Sequence, residues 1–235
     1  MAMSFSLNSC WILVPQGAEY QSVKRGLGSA FLPRIYPIPV GSNAVKESLL
    51  TGDLAEKLKE SSPQLVIVMG LAGSLSSRLK LGQVVVYRSC QYLTIQGRLQ
   101  QWLCDISSLN FLAGHLYLES VDGLNSDRVI TSSKEKQELG ERYQVQAVDM
   151  ESAAILDFFE TKQIPVIIVR VISDEVGQSL PDFSQVYNAQ GELRNWPLAK
   201  ALITQPIAGI KLIKSSLYAL NKLEKIATKL SSLVK

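Results

Sequence analysis

A chain of 235 residues, 46% hydrophobic and 19% charged, has the length and apolar content for a substantial core. Its net charge of +3 is modest, and it has no apolar run of the roughly 18 residues that a bilayer span needs, so a membrane-spanning protein is not expected. No cation precedes Lys24, and Cys10, Cys90 and Cys104 form no Cys-x-x-Cys, which argues against a secretory leader, a disulfide framework or structural zinc, and for a reducing cytoplasm.

In chain order the patterning predicts a strand at 10–14, a helix at 18–26, a strand at 35–40, a helix at 44–60 ended by Pro63, and strands at 65–69 and 83–95. A polar helical stretch at 98–109 and a strand at 114–121 carrying the lone His115 follow. Next come the apolar pair Val129-Ile130, a helix at 133–142, a strand at 145–149, a helix at 151–162 and an unbroken apolar strand at 165–172 interrupted only by Arg170. Strands alternating with helices predict an α/β fold of three layers, a mostly parallel twisted central sheet flanked by helices, in one domain over 1–235. Residues 177–197, with Gly177, Pro181, Gly191 and Pro197, form the longest irregular stretch and read as a lid.

From Gln205 onward six lysines face one acid, Glu224, so the positive charge is confined to one segment and a nucleic-acid binder is not indicated. Ile207, Ile210, Ile213, Leu217, Leu220, Leu223, Leu230 and Leu233 recur at helical spacing, predicting a basic amphipathic helix at about 206–233. Its apolar stripe suits either the protein's own sheet or a partner subunit, or else peripheral contact with the inner face of an anionic membrane.

Two carboxylates stand at the ends of apolar elements, Glu151 in Val148-Asp149-Met150-Glu151-Ser152 and Asp174 in Arg170-Val171-Ile172-Ser173-Asp174. Ligands of open α/β sheets bind beyond the carboxyl ends of strands, where Ser173-Asp174 falls. Read singly, Asp174 caps a turn and Glu151 serves a helix dipole equally well. Arg170, inside an apolar strand, calls for a buried acid as partner, and a purely structural ion pair accounts for it as well as a catalytic role does.

These two blocks resemble the signature of the nucleoside phosphorylase/nucleosidase superfamily. Two more support it: Val66–Leu75, with Met69-Gly70-Leu71-Ala72-Gly73-Ser74, followed by Leu81-Gly82-Gln83-Val84-Val85-Val86, and the strand Trp11–Val14 with a loop carrying Glu19. The four blocks keep the family's order. The resemblance implies a phosphorylase-like fold and cleavage of the N-glycosidic bond of a purine nucleoside, with Asp174 as the acid that protonates the base. Glu151 would accept from the ribose hydroxyls over an apolar floor of Met150, Ala72 and Gly73 would let the backbone approach the ligand, and Ser173 would orient Asp174 or close a turn. A glutamate at 19 corresponds to the nucleosidases' water-holding residue, where hexameric phosphorylases carry a phosphate-binding arginine.

The same comparison puts Val129 and Ile130 where nucleosidases present a phenylalanine to the purine. Val-Asp-Met-Glu-Ser, Ser179-Leu180-Pro181 and the long final helix look more like hopanoid-associated nucleoside phosphorylases, implying an adenosine-type substrate with a bulky, lipid-linked 5′ group. No metal or organic cofactor is implied. Inorganic phosphate stays open as co-substrate beside water, and the family's habit implies a homo-oligomer, a dimer or larger. The alternative of another class is a non-catalytic nucleoside-binding or storage protein on the same fold.

Overall fold

In the computed structural model, which describes residues 9–29, 34–93, 98–181 and 206–233, the apolar, β-branched runs become strands covered on both faces. β1 (Cys10–Pro15) is wholly buried and lies between β2 (Ile35–Ile38) and β3 (Leu65–Ser74), parallel to both. β3 continues in parallel to β8 (Val166–Asp174), and β8 runs antiparallel to the first half of β4 (Val84–Leu93). β4 pairs in parallel with β6 (Glu119–Asn125), β6 pairs in parallel with β7 (Ala147–Asp149), and β7 returns antiparallel to the end of β3 at Gly73–Ser74. β3, β8, β4, β6 and β7 therefore close on one another, and β5 (Leu99–Leu103) extends the sheet antiparallel from β4. The expected mostly parallel α/β sheet is present, with antiparallel joins where β7, β8 and β5 meet their neighbours.

Helices cover this sheet. α1 (Ala18–Leu27) packs against α7 (Pro206–Ser232), which lies on β3 and β8, while α2 (Ser42–Thr51) packs on α6 (Ser152–Glu160). The single helix expected over 44–60 is two, α2 and α3 (Asp53–Glu60). The chain breaks at Gly52, where an added Cβ would lie 3.0 Å from the Ser48 backbone. The polar stretch at 98–109 is not one helix. Leu99–Leu103 pairs with β4, and α4 (Ile106–Leu116) starts only at Asp105, whose side chain accepts from the Ser108 amide at 2.8 Å. His115 consequently sits exposed on α4 rather than on a strand, and β6 begins at Glu119 rather than 114. α5 (Ser133–Tyr143) is capped by Ser132 and ends at left-handed Gln144.

The expected apolar stripe of α7 is divided. Leu223 and Leu230 are buried with Ala219, Ile226 and Ala227, whereas Ile210, Ile213, Leu217 and Tyr218 are exposed. Small residues, absent from a count of large apolar ones, set the buried face: a Cβ on Gly26 of α1 would lie 2.7 Å from Ala227 Cβ and 2.3 Å from the Glu224 carbonyl. Arg25 closes the contact, donating to Glu224 at 2.9 Å. Of the lid expected over 177–197, residues 177–181 are described and the remainder lies outside the described residues, as does the Ile207 side chain. Among the described residues no helix is long and apolar enough to cross a membrane.

Candidate active site

Beyond the carboxyl ends of β1, β3 and β8 lies a cavity of about 150 Å³. Every site residue singled out in the sequence lines it: Glu19, Ala72, Gly73, Val129, Ile130, Met150, Glu151, Ser173 and Asp174. The Gly70–Ser74 segment, beyond the strand expected over 65–69, is the last half of β3. A register shift against β8 between Ala72 and Gly73 turns its backbone into the cavity wall.

One side of the cavity is organised by Arg170, which is fully buried in β8. Its Nε donates to Asp149 Oδ2 at 3.0 Å, and its Nη2 donates to Ser152 Oγ at 3.0 Å and lies 3.5 Å from Glu151 Oε2. Asp149 is thus the acid that the sequence called for without naming it. Its other oxygen accepts from the Glu151 and Ser152 amides at 3.2 and 3.0 Å, fixing the start of α6, and Ser152 Oγ also donates to Oδ2. Glu151 stands just before α6, with Oε1 accepting from the Gly41 amide at 3.1 Å. Asn125 completes the frame: its amide donates to Ser42 Oγ at 2.7 Å and its carbonyl accepts from the Ala153 amide at 3.0 Å, while Ser42 donates to the Met150 carbonyl.

Glu19, in the first turn of α1, accepts from the Leu71 amide at 2.7 Å through Oε2. One cation therefore serves several buried acids, and desolvation prevails. Burial pushes the Glu19 carboxyl above its ordinary range, opposed by Arg170 and the Leu71 amide. Burial likewise pushes the Glu151 carboxyl up to about 7, with Arg170 opposing and Asp149 and Glu19 reinforcing the rise. A carboxylate raised in this way is a better base toward water than an ordinary one.

On the other side Asp174 is buried. Its Oδ1 accepts from Ser173 Oγ at 2.7 Å, and the Ser173 hydroxyl also lies 3.2 Å from the Ala72 carbonyl, so it can both orient the acid and close the turn. Its Oδ2 accepts from Lys136 Nζ. Sequence reasoning missed Lys136, because a lysine in the polar segment Ser133-Lys134-Glu135-Lys136-Gln137-Glu138 reads as solvated surface. The only cue available there is its spacing, three residues before the inward-facing Leu139. Val129, Ile130 and Leu180 give this end an aliphatic wall, and Leu180 is held by its amide donating to the Thr131 carbonyl at 2.9 Å. Arg128 also lines the cavity, but its guanidinium is paired with Glu135. His115, Lys24 and Arg25 lie away from it.

With this geometry in place, residues 120–194 match the sequence model of the phosphorylase superfamily. A search of curated protein sequences gives no match. Among solved structures, a protein from Borrelia burgdorferi B31, assigned as a 5′-methylthioadenosine/S-adenosylhomocysteine nucleosidase and bound to adenine, superposes with a TM-score of 0.70 at 16% identity, over 95% of this chain and 99% of that one. The Helicobacter pylori nucleosidase of the same name, with butyl-thio-DADMe-Immucillin-A, gives 0.65 at 15% identity, over 95% and 97%. A futalosine hydrolase mutant from H. pylori gives 0.56 at 19% identity, over 70% and 89%. The resemblance to the nucleoside phosphorylase/nucleosidase superfamily thus stands on sequence over 120–194 and on fold over nearly the whole chain.

Proposed function

We propose that this protein is an enzyme that cleaves the N-glycosidic bond of a 5′-modified adenosine-type nucleoside, with water as the acceptor. The observation that carries the reading is the convergence on one cavity of two carboxylates in different settings, the half-buried Glu19 beside Arg170 and the buried Asp174 beside Lys136. Asp174 protonates the departing purine at N7. Glu19 holds a water and takes its proton as the ribose gains oxocarbenium character, and Glu151 accepts from the ribose hydroxyls over Met150. The fold's neighbours support the substrate class, since their names describe nucleosidases acting on 5′-thio adenosines. Water is favoured over phosphate because the cavity's cations are already paired and a phosphate dianion would meet the Glu19 carboxylate.

The subgroup pattern around Val148–Ser152 supports a bulky, lipid-linked 5′ substituent. The exposed Ile210, Ile213 and Leu217 beside Lys211 and Lys214 support peripheral contact with an anionic bilayer, where such a substrate would be met. The deciding experiment is product analysis with adenosine and 5′-substituted adenosines, with and without phosphate. Free adenine plus the free ribose, or the 5-substituted ribose from a 5′-substituted adenosine, is expected independent of phosphate. Ribose 1-phosphate would overturn the choice of acceptor, and tight binding without any product would favour the storage-protein alternative.

A further inference from the structure

We propose that Lys136 is a positioning residue for Asp174, fixing one oxygen of that carboxylate and so the direction in which the side chain meets the purine. The inference rests on the reading of Asp174 as proton donor and adds to it a residue that neither the sequence blocks nor the family match assigns.

Lys136 is fully buried and is the one buried residue of α5, a helix otherwise exposed or half-exposed. Burying an ammonium costs several kcal/mol unless its protons find acceptors. Here Nζ donates to Asp174 Oδ2 and to the Gln178 carbonyl at 2.8 Å, and the Glu175 carbonyl lies 3.5 Å away. With its protons so directed, Lys136 has no donor to spare for a ligand, and it is absent from the cavity lining. Its influence therefore passes through Asp174.

The groups around the acid are few. β8 supplies the Ser173 hydroxyl, α5 supplies the Lys136 ammonium, and β3 supplies the bare backbone of Gly73, where a Cβ would lie 3.1 Å from Oδ2. The neighbouring Glu175 carboxylate is engaged elsewhere, accepting from the Leu81 amide at 3.2 Å. Lys136 is thus the one ion in contact with Asp174 among the described residues. With Oδ2 held by the ammonium and Oδ1 by the Ser173 hydroxyl, the carboxyl group cannot turn without breaking a hydrogen bond. The same ammonium ties Asp174 to the 175–178 turn that leads to Leu180 on the cavity wall.

The test is kcat and KM for an adenosine-type nucleoside in wild type, Lys136→Met, Lys136→Arg, Asp174→Asn and the double variants that combine each Lys136 change with Asp174→Asn. Lys136→Met is expected to lower kcat by about 10²-fold with KM little changed, the scale of a misplaced reacting group. Lys136→Arg, which can still donate to Oδ2, keeps more of that kcat, and in the Asp174→Asn background Lys136→Met changes the residual rate less than twofold. An unchanged kcat in folded Lys136→Met, or an equal loss in both backgrounds, would overturn the inference. Should Lys136→Met fail to fold, Lys136→Arg decides, since an equal kcat loss in the wild-type and Asp174→Asn backgrounds contradicts the proposal. Wild-type turnover by Asp174→Asn would instead sink the donor reading itself, whereas loss of activity there with an unaffected Lys136→Met would sink only the present inference.

Discussion

The Glu19 carboxylate and the Arg170 guanidinium converge on the backbone of residue 70, and a Cβ built on Gly70 would lie 2.6 Å from Glu19 Oε2 and 2.4 Å from Arg170 Nη1. That Nη1 is buried without a hydrogen-bond partner among the described residues. The missing side chain is what allows acid and cation to occupy neighbouring space. Gly70→Ala is therefore expected to displace Glu19 and to lower kcat by about 10²-fold, the scale of a 1 Å misplacement. Its cost in stability is expected to stay near the ~1–3 kcal/mol of an overpacked core. Turnover measured beside thermal unfolding checks this, and unchanged kcat would show that Glu19 has room to move.

Arg170→Met leaves Asp149 and Glu151 buried without their cation. A loss of about 3–5 kcal/mol in urea unfolding is expected. Arg170→Lys should recover only part of it, because an ammonium cannot reproduce the fork that reaches both Asp149 and Ser152. Full recovery by lysine would mean that charge alone matters there.

Glu151 gives stability a falling pH slope. Its carboxyl titrates near pH 7 when folded, against an ordinary value of 4.5, so between those limits the native chain holds a proton that the unfolded chain has released. That contribution is complete below pH 4.5 and lost as pH rises to about 7. The unfolding free energy of wild type relative to Glu151→Gln is expected to drop by on the order of 1–3 kcal/mol between pH 5 and 8. Nucleoside affinity should rise over the same interval, because the ionised form accepts from the ribose. A flat stability difference, or affinity that falls with pH, contradicts this account.

The cavity wall of Val129 and Ile130 lacks a ring, and an aromatic partner for a bound purine would add roughly 0.5–1.5 kcal/mol of ring–ring contact. Binding should therefore lean on the 5′ group. Calorimetry is expected to give a weaker Kd for adenosine than for 5′-alkylthioadenosines, with Val129→Phe narrowing the gap. Equal affinities in the wild type would count against an aliphatic base pocket.

Co-sedimentation tests the exposed part of α7. Retention on anionic vesicles at low salt, loss at high salt and loss in Ile213→Ser/Leu217→Ser are expected, because both apolar side chains stand outside the packed face. A protein left in the supernatant under every condition would reduce α7 to a packing element.

Much of this arrangement was legible in the sequence wherever burial on two faces leaves a long apolar signature, as in Trp11–Val14, Val66–Met69 and Val166–Ile172. The acids at the ends of those runs then fell into one cavity. What was not legible depends on partners remote in sequence. Leu99–Leu103 becomes a strand only because β4 lies beside it, and its mostly exposed residues resemble a polar helix. Lys136 is buried because Asp174, 38 residues later, and the Gln178 carbonyl accept its hydrogen bonds. The stripe on α7 misled because contact with α1 depends on alanines and Gly26, which carry little hydrophobic signal but permit close approach.

The grip of α7 on α1 also bears on how the site is made during synthesis. Glu19 opens a helix whose other end is pinned by Arg25 to Glu224, 199 residues downstream. A nascent chain can pair β1 with β3 long before that residue emerges, yet the helix that aims Glu19 lacks its clamp until then. The cavity is completed late, so a partly made chain holds its sheet before Glu19 is clamped in line.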